Sequence, residues 1–171
     1  YGLRRARSGT ISIDGQPKRL RTPYQATRAG MALVPRDRRH QGLILPFSTA
    51  DNINLASLAE TATFGWEHRG RALAKARSWI EQLSIRPGRP ELPVRFMSGG
   101  NQQKAILARW LGTDARLFIL DEPTLGVDIG ARSDIYQRTR ELADRGRGVL
   151  VSSSDAPELL GLCDRILVMW R

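Results

Sequence analysis

Between Met97 and Asp128 the sequence runs from a Met97-Ser98-Gly99-Gly100-Asn101-Gln102-Gln103-Lys104 turn, through an apolar-striped helix, to Leu117-Phe118-Ile119-Leu120-Asp121-Glu122-Pro123. The unbroken apolar run Phe118 to Leu120 suits a strand covered on both faces, and so a parallel sheet flanked by helices. An open α/β sheet places its ligands at the C-terminal ends of its strands, which is where Asp121 and Glu122 fall. A carboxylate pair there offers a hard oxygen donor to a divalent cation and an acceptor to an attacking water. Ser98 and the two glycines open a helix whose first N–H groups are free to face an anion. Both ends point to phosphate chemistry. Each also has a plainer reading: Ser98 as an ordinary N-cap, and the acidic pair as a capping device at a strand-to-loop bend.

The rest of the chain alternates strands and helices, as an α/β domain with a mainly parallel sheet requires. Thr10 to Ile13 alternates into Asp14-Gly15, a hairpin signal. Thr22-Pro23 starts a short helix that Gly30 stops, and Met31 to Val34 is an apolar strand. Ser48 or Thr49 caps a helix through Asn54 and Leu58. Ala59 to Arg69 reads as a loop. Leu73, Ala76, Ile80 and Leu83 lie on one helical face, and Pro87, Gly88, Pro90 and Pro93 break that helix into an extended connection. Ile106, Leu107, Trp110 and Leu111 mark one side of the helix after Ser98. A helix from about Ala131 to Asp144, ending at Gly146, leads to a strand Gly148 to Ser152. A short helix near Pro157 to Leu160 leads to a last strand, Arg165 to Met169.

With 171 residues, 41% of them hydrophobic, the chain suits one domain with a real core. No apolar run approaches the roughly 18 residues of a membrane span, and no leader pattern opens it. Beginning at Tyr1 rather than Met suggests a piece of something longer. Cys163 is alone, which excludes an internal disulfide and fits a reduced, cytosolic setting. Beside an apolar run it reads as a small filler rather than a reactive thiol. The formal charge of +10 raises nucleic acid or an anionic surface as partners. Yet lysine occurs only at Lys18, Lys75 and Lys104, the arginines are scattered through helices and loops as well as clustered at the start and in Arg36-Asp37-Arg38-Arg39, and interleaved aromatics are few. A solvated arginine-biased surface is the plainer account.

Taken together, these motifs resemble those of ATP-binding-cassette (ABC) ATPases. Ser98 to Lys104 is similar to their signature motif, Leu117 to Glu122 to their Walker B strand, and Thr124-Leu125-Gly126-Val127-Asp128 to their D-loop. The resemblance extends from Gly9-Thr10-Ile11-Ser12-Ile13-Asp14-Gly15 through Cys163-Asp164-Arg165-Ile166-Leu167-Val168-Met169. It is nearest to the second cassette of tandem ATPase subunits that drive bacterial sugar importers of the ribose, xylose and galactose type, with nucleoside importers sharing much of the pattern. It implies a P-loop NTPase core with a helical signature subdomain at about 48–112, in a partial nucleotide-binding domain spanning 1–171. It implies ATP and Mg as ligands, with Asp121 on the metal and Glu122 polarising water. Ser98, Gly99, Gly100, Asn101, Gln102 and Asp128 would face nucleotide across a dimer seam. Implied partners are another ABC cassette, membrane permease subunits and, indirectly, a periplasmic or extracellular sugar-binding protein. The expected location is the cytoplasmic face of the membrane.

Three departures qualify the resemblance. No lysine follows a glycine, so the chain holds no Gly-x-x-x-x-Gly-Lys-Ser/Thr phosphate loop. By the resemblance the chain is truncated before Tyr1 and after Arg171. The loop's strand would then be missing from between Gly148 to Ser152 and Arg165 to Met169, leaving unpaired edges and exposed apolar surface. The switch histidine falls on Ser154, which cannot carry positive charge. The Q-loop glutamine falls on Arg36, which cannot ligate a cation; the plainer reading of Arg36 to His40 is a solvated basic loop. The expectation is an intact signature face, a degenerate site on the chain's own face, and no ATP turnover by the chain alone. Two alternatives remain open: an ABC ATPase acting on nucleic acid, and a non-catalytic module that uses the fold to dimerise.

Overall fold

A computed structural model describes residues 1–4, 7–63 and 66–170. Arg5 and Ala6 of the basic opening, Phe64 and Gly65 of the expected loop, and Arg171 lie outside the described residues. Among those described, β3 (Met31–Val34), β6 (Leu117–Asp121) and β7 (Gly148–Ser152) form a parallel sheet with β6 in the centre. The register sets Met31 against Leu117, and Leu117 in turn against Gly148. The β6 and β7 strands therefore end level, at Asp121 and Ser152, and β3 ends one residue earlier, with Val34 opposite Leu120. Phe118, Leu120 and Val34 are fully buried, as the apolar runs require.

The flanking elements begin where the sequence places caps. A hairpin of β1 (Ser12–Ile13) and β2 (Gln16–Pro17) turns through Asp14 and Gly15, both at positive φ. The α1 helix (Pro23–Arg28) starts at Thr22, whose hydroxyl accepts the Gln25 amide at 3.2 Å. The α2 helix (Thr49–Asn54) carries a full capping box between Ser48 and Asp51. It stops earlier than expected, and the segment read as a loop holds instead α3 (Leu58–Thr61) and a small hairpin, β4 (Ala62–Thr63) with β5 (Trp66–Glu67). The pairs are too short to show period-2 alternation, which is why pattern missed them. The α4 helix (Arg69–Gln82) buries Ala72, Ala76 and Ile80, and Leu83 closes it into the core.

The α5 helix (Gly99–Leu111) differs from its one-sided reading. Every residue from Gln102 to Arg109 is buried, because β3, α2, α4 and α6 (Ile129–Asp144) surround it. Some of its polar groups find partners inside, whereas Gln102 Oε1 and Trp110 Nε1 are buried with no hydrogen-bond partner among the described residues. Arg109 donates to the Asn52 carbonyl (2.8 Å), the Gly42 carbonyl (2.7 Å) and Asn52 Oδ1 (3.2 Å). Burial pushes the guanidinium down to about 10, which still leaves it charged at neutral pH. Lys104 pairs with Asp134 of α6 at 2.5 Å.

One expected strand does not form. After α7 (Ala156–Leu162), residues 164–170 run without sheet pairing, and Leu167, Val168, Met169 and Trp170 are all more than four-fifths exposed. A strand needs a ladder to satisfy its backbone, and among the described residues β7 pairs only with β6. Leu150 on β7 is accordingly 55% exposed. Of the edges expected beside a gap, the one on β7 is present together with exposed apolar surface, and the one on residues 165–169 is not, because that strand does not form.

Candidate functional site

Three connections leave the strand ends: 35–42 after β3, whose Arg38–Gly42 part is a π-helical turn capped by Asp37, 122–128 after β6, and 153–155 after β7. At the second, Glu122 takes a left-handed backbone (φ 47°), which costs a non-glycine residue about 1–2 kcal/mol. Its amide donates to the Ser152 carbonyl at 2.7 Å, and its carboxylate Oε1 accepts the Ser154 amide at 2.9 Å. The two residues assigned catalytic roles from sequence, Glu122 and Ser154, are thus brought together, through the Ser154 backbone rather than its hydroxyl.

Behind this contact lies a residue the sequence reading missed. Glu158 of α7 is 5% exposed, and its carboxylate accepts the Thr124 hydroxyl at 2.8 Å and the Ser153 hydroxyl. It ties the turn after Glu122 to the turn carrying Ser154. Burial, and next the Glu158 charge, raise the neighbouring Tyr136 hydroxyl above its ordinary 10.0. Only the fold joins residues 34 positions apart, so no local pattern marks Glu158.

The signature turn lies against the D-loop. Ser98 caps α5: its hydroxyl accepts Asn101 Nδ2 at 2.9 Å and, more weakly, the Asn101 amide at 3.4 Å. Asn101 Oδ1 in turn accepts the Arg86 amide at 2.8 Å. A Cβ on Gly99 would sit 2.6 Å from Arg38 Nη2 and 2.9 Å from the Gly126 carbonyl oxygen. One on Gly100 would sit 2.7 Å from Ala131 Cβ and 3.2 Å from Asp128 Oδ2. Glycine is required at both by close approach. Asp128 caps α6, accepting the Ala131 amide at 2.8 Å, and both Asp128 and Ser98 remain exposed. Gln102 is a correction. Its side chain points into the fold and donates to the Val94 carbonyl at 3.0 Å, 1% exposed, so it cannot face a nucleotide. Cys163 is half-buried and its thiol is raised, chiefly by burial, which makes it a poor nucleophile.

Arg36 is exposed at the rim of a cleft of about 570 Å³ shared with Asp37, Arg38, Arg39, Gln41, Asp121, Leu125 and Gly126. Arg36 and Asp121 are therefore brought to one place. Arg38 leaves the loop to donate to the Leu125 carbonyl (2.7 Å) and the Gly126 carbonyl (3.3 Å). The donor set does not fit a magnesium ion. Asp121 and the Gln41 amide are its side-chain oxygen donors beyond Asp37, whose carboxylate accepts the Arg39 and His40 amides and pairs with His40, and the Leu125 and Gly126 carbonyls are taken by Arg38. Three guanidiniums line the same space, and a dication would be pressed among them. Among the described residues no group of three His, Cys, Asp or Glu side chains could hold a metal.

The family profile described as ABC transporter matches residues 1–125. The chain belongs to the ABC transporter family. It is 42% identical, over 169 residues, to the ribose import ATP-binding protein RbsA of Geobacillus kaustophilus, covering 99% of this chain and 34% of that protein. It is also 42% identical to the arabinose import ATP-binding protein AraG of Chromohalobacter salexigens, covering 98% of this chain and 34% of that one. The chain thus spans about a third of the length of the curated relatives it matches. Among solved structures, the dimeric ABC cassette MJ0796 bound to ADP and Pi superposes with a TM-score of 0.72 at 20% identity, over 91% of this chain and 67% of that one. A nucleotide-free cassette from an ABC transporter superposes with a TM-score of 0.75 at 17% identity, over 95% and 66%. At these identities the structures show the ABC ATPase fold. No helix among the described residues is long and apolar enough to cross a membrane.

Proposed function

We propose that this chain is the signature-bearing part of an ATP-binding subunit that energises sugar import, and that its Ser98-Gly99-Gly100 turn completes a nucleotide site held by another ABC cassette. The carrying observation is the packing of Gly99 on Arg38 and Gly126, and of Gly100 on Ala131 and Asp128. That packing fuses the signature turn and the D-loop into one rigid edge. Ser98 and Asp128 stand exposed on it, beside the N-terminus of a thirteen-residue helix. Free amides and the helix dipole there favour an anion such as a terminal phosphate. The names of the relatives, ribose and arabinose import ATP-binding proteins, support sugar as the cargo.

In this reading residues 1–171 belong to one nucleotide-binding unit, whose segment from about 48 to 112 is the signature-bearing helical part. Its partners are a second cassette and permease subunits at the cytoplasmic face of the membrane, with an extracytoplasmic sugar-binding protein acting through them. Glu122 and Ser154 serve the chain's own face, where Glu122 orients water and the Ser154 amide fixes its carboxylate. With no phosphate-loop lysine in its sequence, the chain alone is expected not to turn over ATP. In the transporter, Ser98→Arg should abolish transport-coupled ATPase activity by filling the trans contact, and Glu122→Gln should cost much less. Equal losses from the two variants would refute the division of labour.

A further inference from the structure

The cleft at the ends of β3 and β6 departs from what its position in the family leads one to expect, and the departure has its own chemistry. Two of its charged groups are already committed. Asp37 turns its carboxylate onto its own loop, accepting the Arg39 amide (3.2 Å), the His40 amide (3.1 Å) and the His40 ring (2.8 Å). Arg38 is fixed to the Leu125 and Gly126 carbonyls. The side chains of Arg36, Arg39 and Asp121 make no hydrogen bond or ion pair among the described residues, and they line the same cleft. A strand-end carboxylate with a phosphate ligand needs a cation between the two like charges. A divalent ion can be that cation. A guanidinium can be too, because its planar fork donates at once to a carboxylate and to phosphate oxygens.

We propose that this cleft is a metal-free site for a condensed phosphate group, in which the Arg36 guanidinium bridges Asp121 and the anion and Arg39 donates to its free oxygens. The inference rests on the reading that the strand ends face phosphate, and adds that the cation there is a side chain. The ligand class is a diphosphate, either free or as the tail of a nucleotide. Arg36 holds the position where a metal-sensing residue would be expected, so the cleft gains the anion and loses the metal together.

The test is calorimetric titration of the 171-residue chain with pyrophosphate and, in a second arm, with ADP, each in EDTA and in excess magnesium. Pyrophosphate is expected to bind in EDTA at least as tightly as in magnesium, and the stronger of the two ligands identifies the source. Arg36→Gln should weaken binding in EDTA at least tenfold. The same variant should gain a manganese site, read as paramagnetic broadening of the amides at 121 and 122, that the parent chain lacks. Asp121→Asn, which removes the carboxylate that anchors Arg36, should weaken binding by the same factor in EDTA and in magnesium, whereas a metal-mediated site would lose binding only where magnesium is present. Arg36 is exposed and its side chain makes no hydrogen bond among the described residues, so its replacement leaves the fold intact. Binding that requires magnesium, or manganese broadening in the parent chain, would overturn the metal-free site while leaving the strand ends as a phosphate face. No binding of either ligand under any condition would overturn both.

Discussion

Glu158 shows how one side chain can set the geometry of others that carry the chemistry. It is buried with no ion-pair partner among the described residues, yet two hydroxyls from different loops satisfy it, so it holds the turns bearing Glu122 and Ser154 in register. Glu158→Ala leaves the Thr124 and Ser153 hydroxyls without acceptors. Each orphaned group costs about 1–3 kcal/mol. A chain of this size should lose on the order of 5–15 °C in melting temperature. Calorimetry reads that loss, and hydrogen exchange should show the Ser154 amide opening before the core of β6 does. Glu158→Gln gives a sign-specific check through Tyr136. The folded state keeps the Tyr136 proton above pH 10.0, where the unfolded chain has already lost it. Stability therefore falls as pH rises through the raised value. Removing the Glu158 charge should make that fall shallower; a steeper fall would show that the carboxylate does not act on Tyr136.

At the scale of elements, what was legible in the sequence and what was not divide along a physical line. Thr22, Ser48 and Ser98 mark helix starts because a cap is chemistry between neighbours three residues apart, and the structure places a cap at each. The strands Met31–Val34 and Leu117–Asp121 were legible because a strand buried on both faces leaves an unbroken apolar run. The interior position of Gln102 was not legible, since a polar residue near a helix start is ordinarily exposed and only the surrounding elements decide otherwise. The same holds for Arg109, and for the strand that residues 165–169 fail to make: in each case the outcome depends on a distant neighbour. The α5–α6 junction tests this kind of dependence. Gly100→Ala places a methyl 2.7 Å from Ala131 Cβ, a short side chain that cannot turn aside. Overpacking of this kind costs about 1–3 kcal/mol. The double variant with Ala131→Gly should recover most of the loss, beyond the cost of glycine in a helix, in a double-mutant cycle of unfolding free energies. Additive losses would show that Gly100 is needed for its backbone and not for the contact.

For the molecule as a whole, the balance lies between a basic surface and one uncovered apolar edge. Leu150 is more than half exposed on β7, whose outer edge has no ladder partner among the described residues, and Leu160, Leu167 and Val168 further along the chain are more than half exposed as well. Such an edge offers both hydrogen bonds and apolar area to a second chain. The formal charge of +10 opposes that association by long-range repulsion. The two terms respond oppositely to salt. Screening shortens the Debye length from about 30 Å at 0.01 M to about 3 Å at 1 M, so the repulsion fades while apolar burial persists. The purified chain should therefore associate more as salt rises, seen as a growing sedimentation coefficient at fixed protein concentration. Leu150→Lys combined with Val168→Lys should suppress the growth with little change in melting temperature, because neither side chain is in the core. Association that weakens with salt would instead assign it to charge pairing, and the open edge would then be no more than an inert boundary of the sheet.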